Sequence, residues 1–263
     1  MKEIESNKEA WGALSKGHYE HFKKAIQNKS HRFNPIIEEE LGDISGKSVI
    51  HLQCNTGADT VLLAQKGAIV TGVDLVPENI FYAGKMAQEL NIKNIDFIES
   101  DIMKLKEHHH KKYDMVFTSE GVLCWLPDLA QWAETIKHLL KENGILYVFD
   151  SHPFFMTFDE DKFRENKLEI KYPYFIRESE CFEEMGDYCT ENKTGVTYEW
   201  MYKISDIINP LAKEGLKIEY FNEYDRLFFN NGEMEGLGNG LYHYPFFDKK
   251  IPFSFSLKAK LVE

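Results

Sequence analysis

Nothing in this 263-residue chain approaches the ~20 consecutive apolar residues of a membrane-crossing helix, and the opening MKEIESNKEAWG is charged where a secretory signal is apolar. A helical membrane span is thereby excluded, and a cytoplasmic location is expected. Basic residues are in deficit, 31 against 43 acidic, and the net charge of −12 repels a nucleic-acid backbone or an anionic membrane surface. Neither is an expected partner. Cysteine is scarce: Cys54, Cys124, Cys181 and Cys189 show no paired CxxC spacing, which argues for reduced thiols and against a zinc site. Only Cys181 and Cys189, if they face each other across a hairpin, would suit a bridge. Internal repeats and low-complexity linkers are absent as well.

What is present suffices for one substantial core, with 43% hydrophobic and 28% charged residues, and points to one domain over 1–263 carrying an insertion. From Lys47 to Ser151 short β-rich runs alternate with helical ones, the pattern of a parallel sheet covered by helices. Strands are expected at Ser48–Leu52, Ile69–Asp74, Ile95–Ser100, Tyr113–Ser119 and Ile145–Ser151. Helices are expected at Asp59–Lys66, at Pro77–Leu90 and, most clearly, at Asp128–Lys141, where Leu129, Trp132, Ala133, Ile136 and Leu139 recur at helical spacing. Residues 1–45 read as an amphipathic helical cap and 46–151 as a ligand-binding half. Residues 152–200, rich in aromatics and turn formers, read as an inserted, partly antiparallel lid. Across 201–263 the α/β rhythm resumes, with a helix capped by Ser205 and ending near Lys213, then strands Lys217–Tyr224 and Phe253–Val262.

In such a sheet the ligand lies beyond the carboxyl ends of the strands, where the first turn meets a helix. That turn is VIHLQCNTGADT, residues 49–60. A dinucleotide would need GxGxxG, so that its pyrophosphate could approach bare amides. Here Gln53 and Asn55 stand with Gly57 instead, so a phosphate-free nucleoside such as S-adenosylmethionine fits better, its zwitterionic end met by Gln53 and Asn55. Gly57 serves either as a plain turn glycine or for close approach to that ligand. Asp74, ending the second strand before Leu75, suits two ribose hydroxyls, and Asp101, after the third, suits the adenine amine with Ile102 and Met103 over the ring. Both aspartates would equally serve as turn residues. Ser119 and Glu120 end the fourth strand and would face the reacting sulfur and the substrate.

At these residues the chain resembles the class I S-adenosylmethionine-dependent methyltransferases. The stretch HLQCNTGADTVLLAQKGAIVTGVDLVPENI in particular looks like a bacterial subgroup with HLQC-type loops. The resemblance is strong over 45–151 and looser over 200–263. It implies a doubly wound seven-stranded, mostly parallel sheet in the order 3-2-1-4-5-7-6 with strand seven antiparallel. Where the family carries an acid this chain has His51, and Gln53 and Asn55 replace the first two glycines.

Further candidates each carry two readings. Trp11, His18 and Tyr19 either close a flap over the cofactor, as in many relatives, or dock an amphipathic helix on the core. Trp125 is a packing residue or a substrate contact. His152, just after the fifth strand, is a general base or a histidine fixing the turn before Pro153. The run His108-His109-His110 resembles a metal cluster but reads as a solvated loop; no metal is expected. Eleven aromatics in the lid, from Phe154 to Trp200, exceed what so small an insertion needs, so some would line an apolar pocket. Six acids between Glu178 and Glu191 form a solvated face or attract a cationic substrate.

Together these features imply methyl transfer from S-adenosylmethionine to a small, partly apolar molecule, by a monomer or homodimer. The displacement is in line and asks chiefly for orientation, with His152 or Glu120 as base if the nucleophile is a hydroxyl. The alternatives are a non-catalytic protein binding S-adenosylmethionine or its product and, against the missing GxGxxG, a nicotinamide-dependent oxidoreductase.

Overall fold

The computed structural model describes residues 1–262 apart from 177, 188, 190–192 and 233. Tyr188 and Glu191, counted above among the lid aromatics and acids, lie outside the described residues. Strands β1 (Ser48–Leu52), β2 (Ile69–Asp74) and β4 (Tyr113–Ser119) fall where the sequence puts them, and β3 (Ile95–Glu99) stops one residue early. β5 (Leu140–Ser151) begins well before Ile145, because Leu140 already pairs with Tyr113 and a bulge at Asn143 (φ 62°) and Gly144 absorbs the slack. Two lid strands, β6 (Ser179–Phe182) and β7 (Thr197–Trp200), pair antiparallel, and β8 (Leu216–Tyr224) and β9 (Ser254–Leu261) complete the set used here.

The main sheet runs β3-β2-β1-β4-β5-β9-β8, with β9 antiparallel to both neighbours. Counting only its own strands, that is 3-2-1-4-5-7-6, the order the resemblance implies. Residues of one strand alternate between two cores. Ile50 and Leu52 of β1 join Trp132 and Ile136 of α5 (Leu129–Leu139), while Val49 joins Leu63 of α3 (Ala58–Gln65) and Ile37 of α2 (Pro35–Leu41). Each fully buried side chain of this kind contributes about 1.5–3 kcal/mol, so the sheet is rigid where its strand ends must carry a site.

α1 (Lys2–Gln27) lies on α4 (Pro77–Glu89), closely enough that a Cβ at Gly12 would sit 3.2 Å from the Glu78 carboxylate. α7 (Ile204–Lys213) starts before Ser205: the Asp206 carboxylate accepts from the Lys203 N–H at 3.2 Å, so Ser205 is not the cap. All four cysteines are free thiols, Cys181 and Cys189 included. Among the described residues no helix is long and apolar enough to cross a membrane.

Candidate active site

Three alternate residues of the first turn, Gln53, Asn55 and Gly57, hold left-handed backbone conformations with φ of 55°, 50° and 80°. Asparagine tolerates that region; glutamine does so only when its surroundings compensate. They do here, since Gln53 Nε2 donates to the Val122 carbonyl at 2.8 Å and the Asn55 N–H donates to Asp74 Oδ2 at 2.8 Å. Gly57 is required by the protein itself: a Cβ there would come within 2.9 Å of Ala83 and 3.0 Å of Phe97. Two polar atoms of this turn, Gln53 Oε1 and Thr56 Oγ1, are buried without a hydrogen-bond partner.

Asp74 is 8% exposed and its Oδ1 accepts from the Val76 N–H (2.9 Å) and the Asn79 amide (3.1 Å). Burial lifts its carboxyl above the usual range against these bonds. The Asn55 and Leu75 N–H groups also serve this carboxylate, so the loop and the strand end converge on it. Asp101 is more open; Oδ1 caps the Met103 N–H at 2.9 Å and Oδ2 lies 4.0 Å from Lys104 Nζ. Ile102 and Met103 are buried in the same hydrophobic cluster as Ile50 and Leu52. Leu75 is half-buried between Asp74 and Val76.

The N-terminal helix does reach this cleft. Ser15 Oγ donates to Asn79 Oδ1 at 2.6 Å, extending the Asp74 network, and His18 Nδ1 lies 3.2 Å from Asn55 Oδ1. The other His18 nitrogen is 2.8 Å from Asp187 of the lid. Those two residues and Cys189 form a trio with ligating atoms within 4.8 Å, though both ring nitrogens are already engaged. Trp11 meets Trp125 edge-on at 5.3 Å, and Trp125 Nε1 donates to the Gly121 carbonyl at 2.7 Å. Tyr19 is buried in a cluster with Ala58, just after the loop glycine, and Met86. It stacks on Tyr82 and donates to Glu89 at the far end of α4, because its ring belongs to the α1–α4 contact.

His51, in the place of the expected acid, is buried against Phe117 and 2.9 Å from Thr60 Oγ1, and burial lowers it to about 4, so it is neutral at pH 7. At the end of β4, Ser119 Oγ donates to Asp59 Oδ2 at 3.3 Å. Burial works against the Asp59 charge, but the His31 hydrogen bond of 2.9 Å helps hold its carboxyl below the usual range. Glu120, at φ 63°, accepts from Asn34 Nδ2 at 3.0 Å. Crowding by protein and the Asp59 and Asp150 carboxylates raise its carboxyl even though the side chain is exposed.

His152 departs from the base reading. Its Nδ1 accepts the Phe154 N–H at 3.1 Å and Nε2 sits 3.0 Å from Glu223 of β8, so the ring fixes the turn and faces away from β4. The histidine run likewise disperses, His108 to Ser100, His109 to Tyr113 and His110 to His138. Missed by sequence reasoning was Asp150, last but one in β5, which collects four backbone N–H groups, from Gly121, Val122, Leu123 and Ser151, at 2.7–3.1 Å. A polar residue closing the strand of LYVFDS was the signal. Asn34 and His31, in the α1–α2 connection, carried none.

A model of a methyltransferase domain matches residues 43–225. The chain belongs to the methyltransferase-domain family. Among curated proteins it is similar to the ubiquinone biosynthesis O-methyltransferase of Acinetobacter baumannii, 27% identical over 135 residues, which is 50% of this chain and 54% of that one. It thus spans about half the length of the curated relatives it matches. A solved chain from Listeria monocytogenes superposes with a TM-score of 0.64 at 18% identity, covering 87% of this chain and 97% of that one. An S-adenosylmethionine-dependent methyltransferase from Mesorhizobium loti gives 0.57 at 15% identity over 86% and 96%. The class I S-adenosylmethionine-dependent methyltransferase fold and family expected from the loop and strand ends are therefore met, with S-adenosylmethionine as the family's cofactor.

Proposed function

We propose that this methyltransferase-domain chain binds S-adenosylmethionine across the carboxyl ends of β1–β3 and transfers its methyl group to a small, partly apolar molecule lying beyond β4 and β5. The observation that carries the reading is the left-handed trio Gln53, Asn55 and Gly57: the glycine-like backbone course survives although two positions bear side chains. The unsatisfied Gln53 Oε1 and Thr56 Oγ1 suit the polar amino-acid end of the cofactor, and the Asp74 carboxylate at the strand end would meet the ribose hydroxyls. Asp101 would meet the adenine amine, with Leu75 beside it. Pyrophosphate has no comparable fit here.

The cofactor supplies a sulfonium methyl; the chain supplies orientation and dryness. Trp11 and Trp125 close one side of the cleft and the lid another. Ser119 and Glu120 stand at the substrate side, and Glu120, whose carboxyl is raised to about 8, would accept a hydroxyl proton increasingly as pH rises toward that value. A cytoplasmic monomer or homodimer completes the proposal. Calorimetry with S-adenosylhomocysteine, followed by product release across a panel of small acceptors, tests it. Absence of binding at millimolar ligand overturns the cofactor assignment, and binding without turnover on any acceptor leaves a non-catalytic cofactor-binding protein, the reading favoured by the side chains on the turn.

A further inference from the structure

The lid encloses a cavity of about 210 Å³, whose apolar wall includes the rings of Phe155, Phe158, Tyr172 and Phe182. Strand β7 presents Thr197 and Glu199 to it, two residues apart and so on one face of the strand. Thr197 is fully buried and its hydroxyl has no hydrogen-bond partner among the described residues. The half-buried Glu199 side chain makes no hydrogen bond or ion pair among the described residues, whereas a carboxylate turned into a cavity ordinarily has a partner. Glu160 and Glu184 also border the space, and no lysine, arginine or histidine does among the described residues. Aromatic faces beside the unpartnered Glu199 carboxyl are the surroundings that a desolvated organic cation selects.

The cavity adjoins the proposed reaction site, with two methionines between them. Met156 and Met201 line it and also line a smaller space bounded by Gly121 and Asp150, at the ends of β4 and β5. Burial raises the Cys124 thiol, which lines that second space, and the Glu199 charge adds to the effect. Burial and the Glu160 charge lift Glu199 itself to about 7, the behaviour of an acid awaiting a positive partner.

We propose that the lid cavity is a cation subsite: the methyl acceptor carries an ammonium or quaternary ammonium group on an apolar body, held by Glu199 and the surrounding rings while its other end reaches the strand tips. This rests on the methyltransferase reading above and deepens it. The probe is benzyltrimethylammonium, which cannot itself be methylated at nitrogen, with neopentylbenzene as its neutral isostere, both titrated into the full chain saturated with S-adenosylhomocysteine. We expect the cation to bind at least tenfold more tightly than the isostere, and Glu199→Gln to abolish that preference while S-adenosylhomocysteine affinity stays within twofold. Affinity for the cation should also rise between pH 6 and 8 in the wild type and not in the variant. Equal binding of cation and isostere, or full cation binding by Glu199→Gln, overturns the subsite. Thr197→Val gives a second, isosteric variant that should bind the isostere as well as the wild type does; loss of isostere binding in that variant also counts against the cavity as drawn. Failure of S-adenosylhomocysteine to bind in the first place sinks the broader reading instead, so the two failures are distinguishable.

Discussion

The Nδ1 atom of His18, on the first helix, lies 3.2 Å from the side-chain oxygen of Asn55 on the first turn of the sheet. One imidazole thereby ties α1 to the cofactor loop, and through Nε2 to the lid at Asp187. His18→Ala removes both contacts, each worth about 1 kcal/mol. S-adenosylhomocysteine should bind roughly fivefold to thirtyfold more weakly by calorimetry, and limited proteolysis should cut α1 or the lid faster. Unchanged affinity and cleavage would show that the helix docks without the loop.

At Asn55 two substitutions separate backbone from side chain. Asn55→Ala keeps φ near 50° with a residue that disfavours it and should cost about 1–2 kcal/mol in denaturant unfolding. Asn55→Gly relieves that strain and should lie within about 0.5 kcal/mol of the parent while still losing the His18 contact. Equal losses in both would place the whole effect in the side chain.

Asp74 and Asp101 should respond differently. Asp74→Asn puts an amide where several donors converge, so stability should fall by about 1–3 kcal/mol along with cofactor affinity. Asp101→Asn, in an open turn, should leave the unfolding midpoint almost unmoved and weaken only cofactor binding. A destabilised Asp101 variant with normal binding would make that residue a turn former alone.

His51 gives a pH signature. Its folded value of about 4 lies below the ordinary 6.5, so as pH falls from 6.5 to 4 the unfolded chain takes up a proton that the native ring refuses. Stability should therefore rise with pH across that window, by up to about 3 kcal/mol from this residue, and be flat above it. His51→Gln should remove that share of the slope, read as unfolding free energy against pH.

The base role is proposed for Glu120 and not for His152. His152→Gln should keep kcat within about threefold once folded, since the ring serves the turn and Glu223. Glu120→Gln should lower kcat by about 10²-fold or more on a hydroxyl acceptor and abolish any rise in rate with pH near neutrality. The reverse outcome would return the base role to His152.

Strand alternation, helix periodicity and the polar residue closing each strand are properties of neighbouring positions in the chain, so β1, β2 and β4 and the placement of Asp74, Asp101 and Ser119 at strand ends were legible in the residues alone, while the strand order came from the family resemblance. A side chain's partner is not local. Whether His152 turned to the cleft or to Glu223, which cluster Ile102 joined, and which residues of α3 and α4 Tyr19 met depended on elements tens of residues away. The same holds for His18, whose two partners lie 37 and 169 positions along the chain. Local patterns set where a side chain is mounted; only packing of the distant segments, driven by burial of their apolar faces, decided what each one touches.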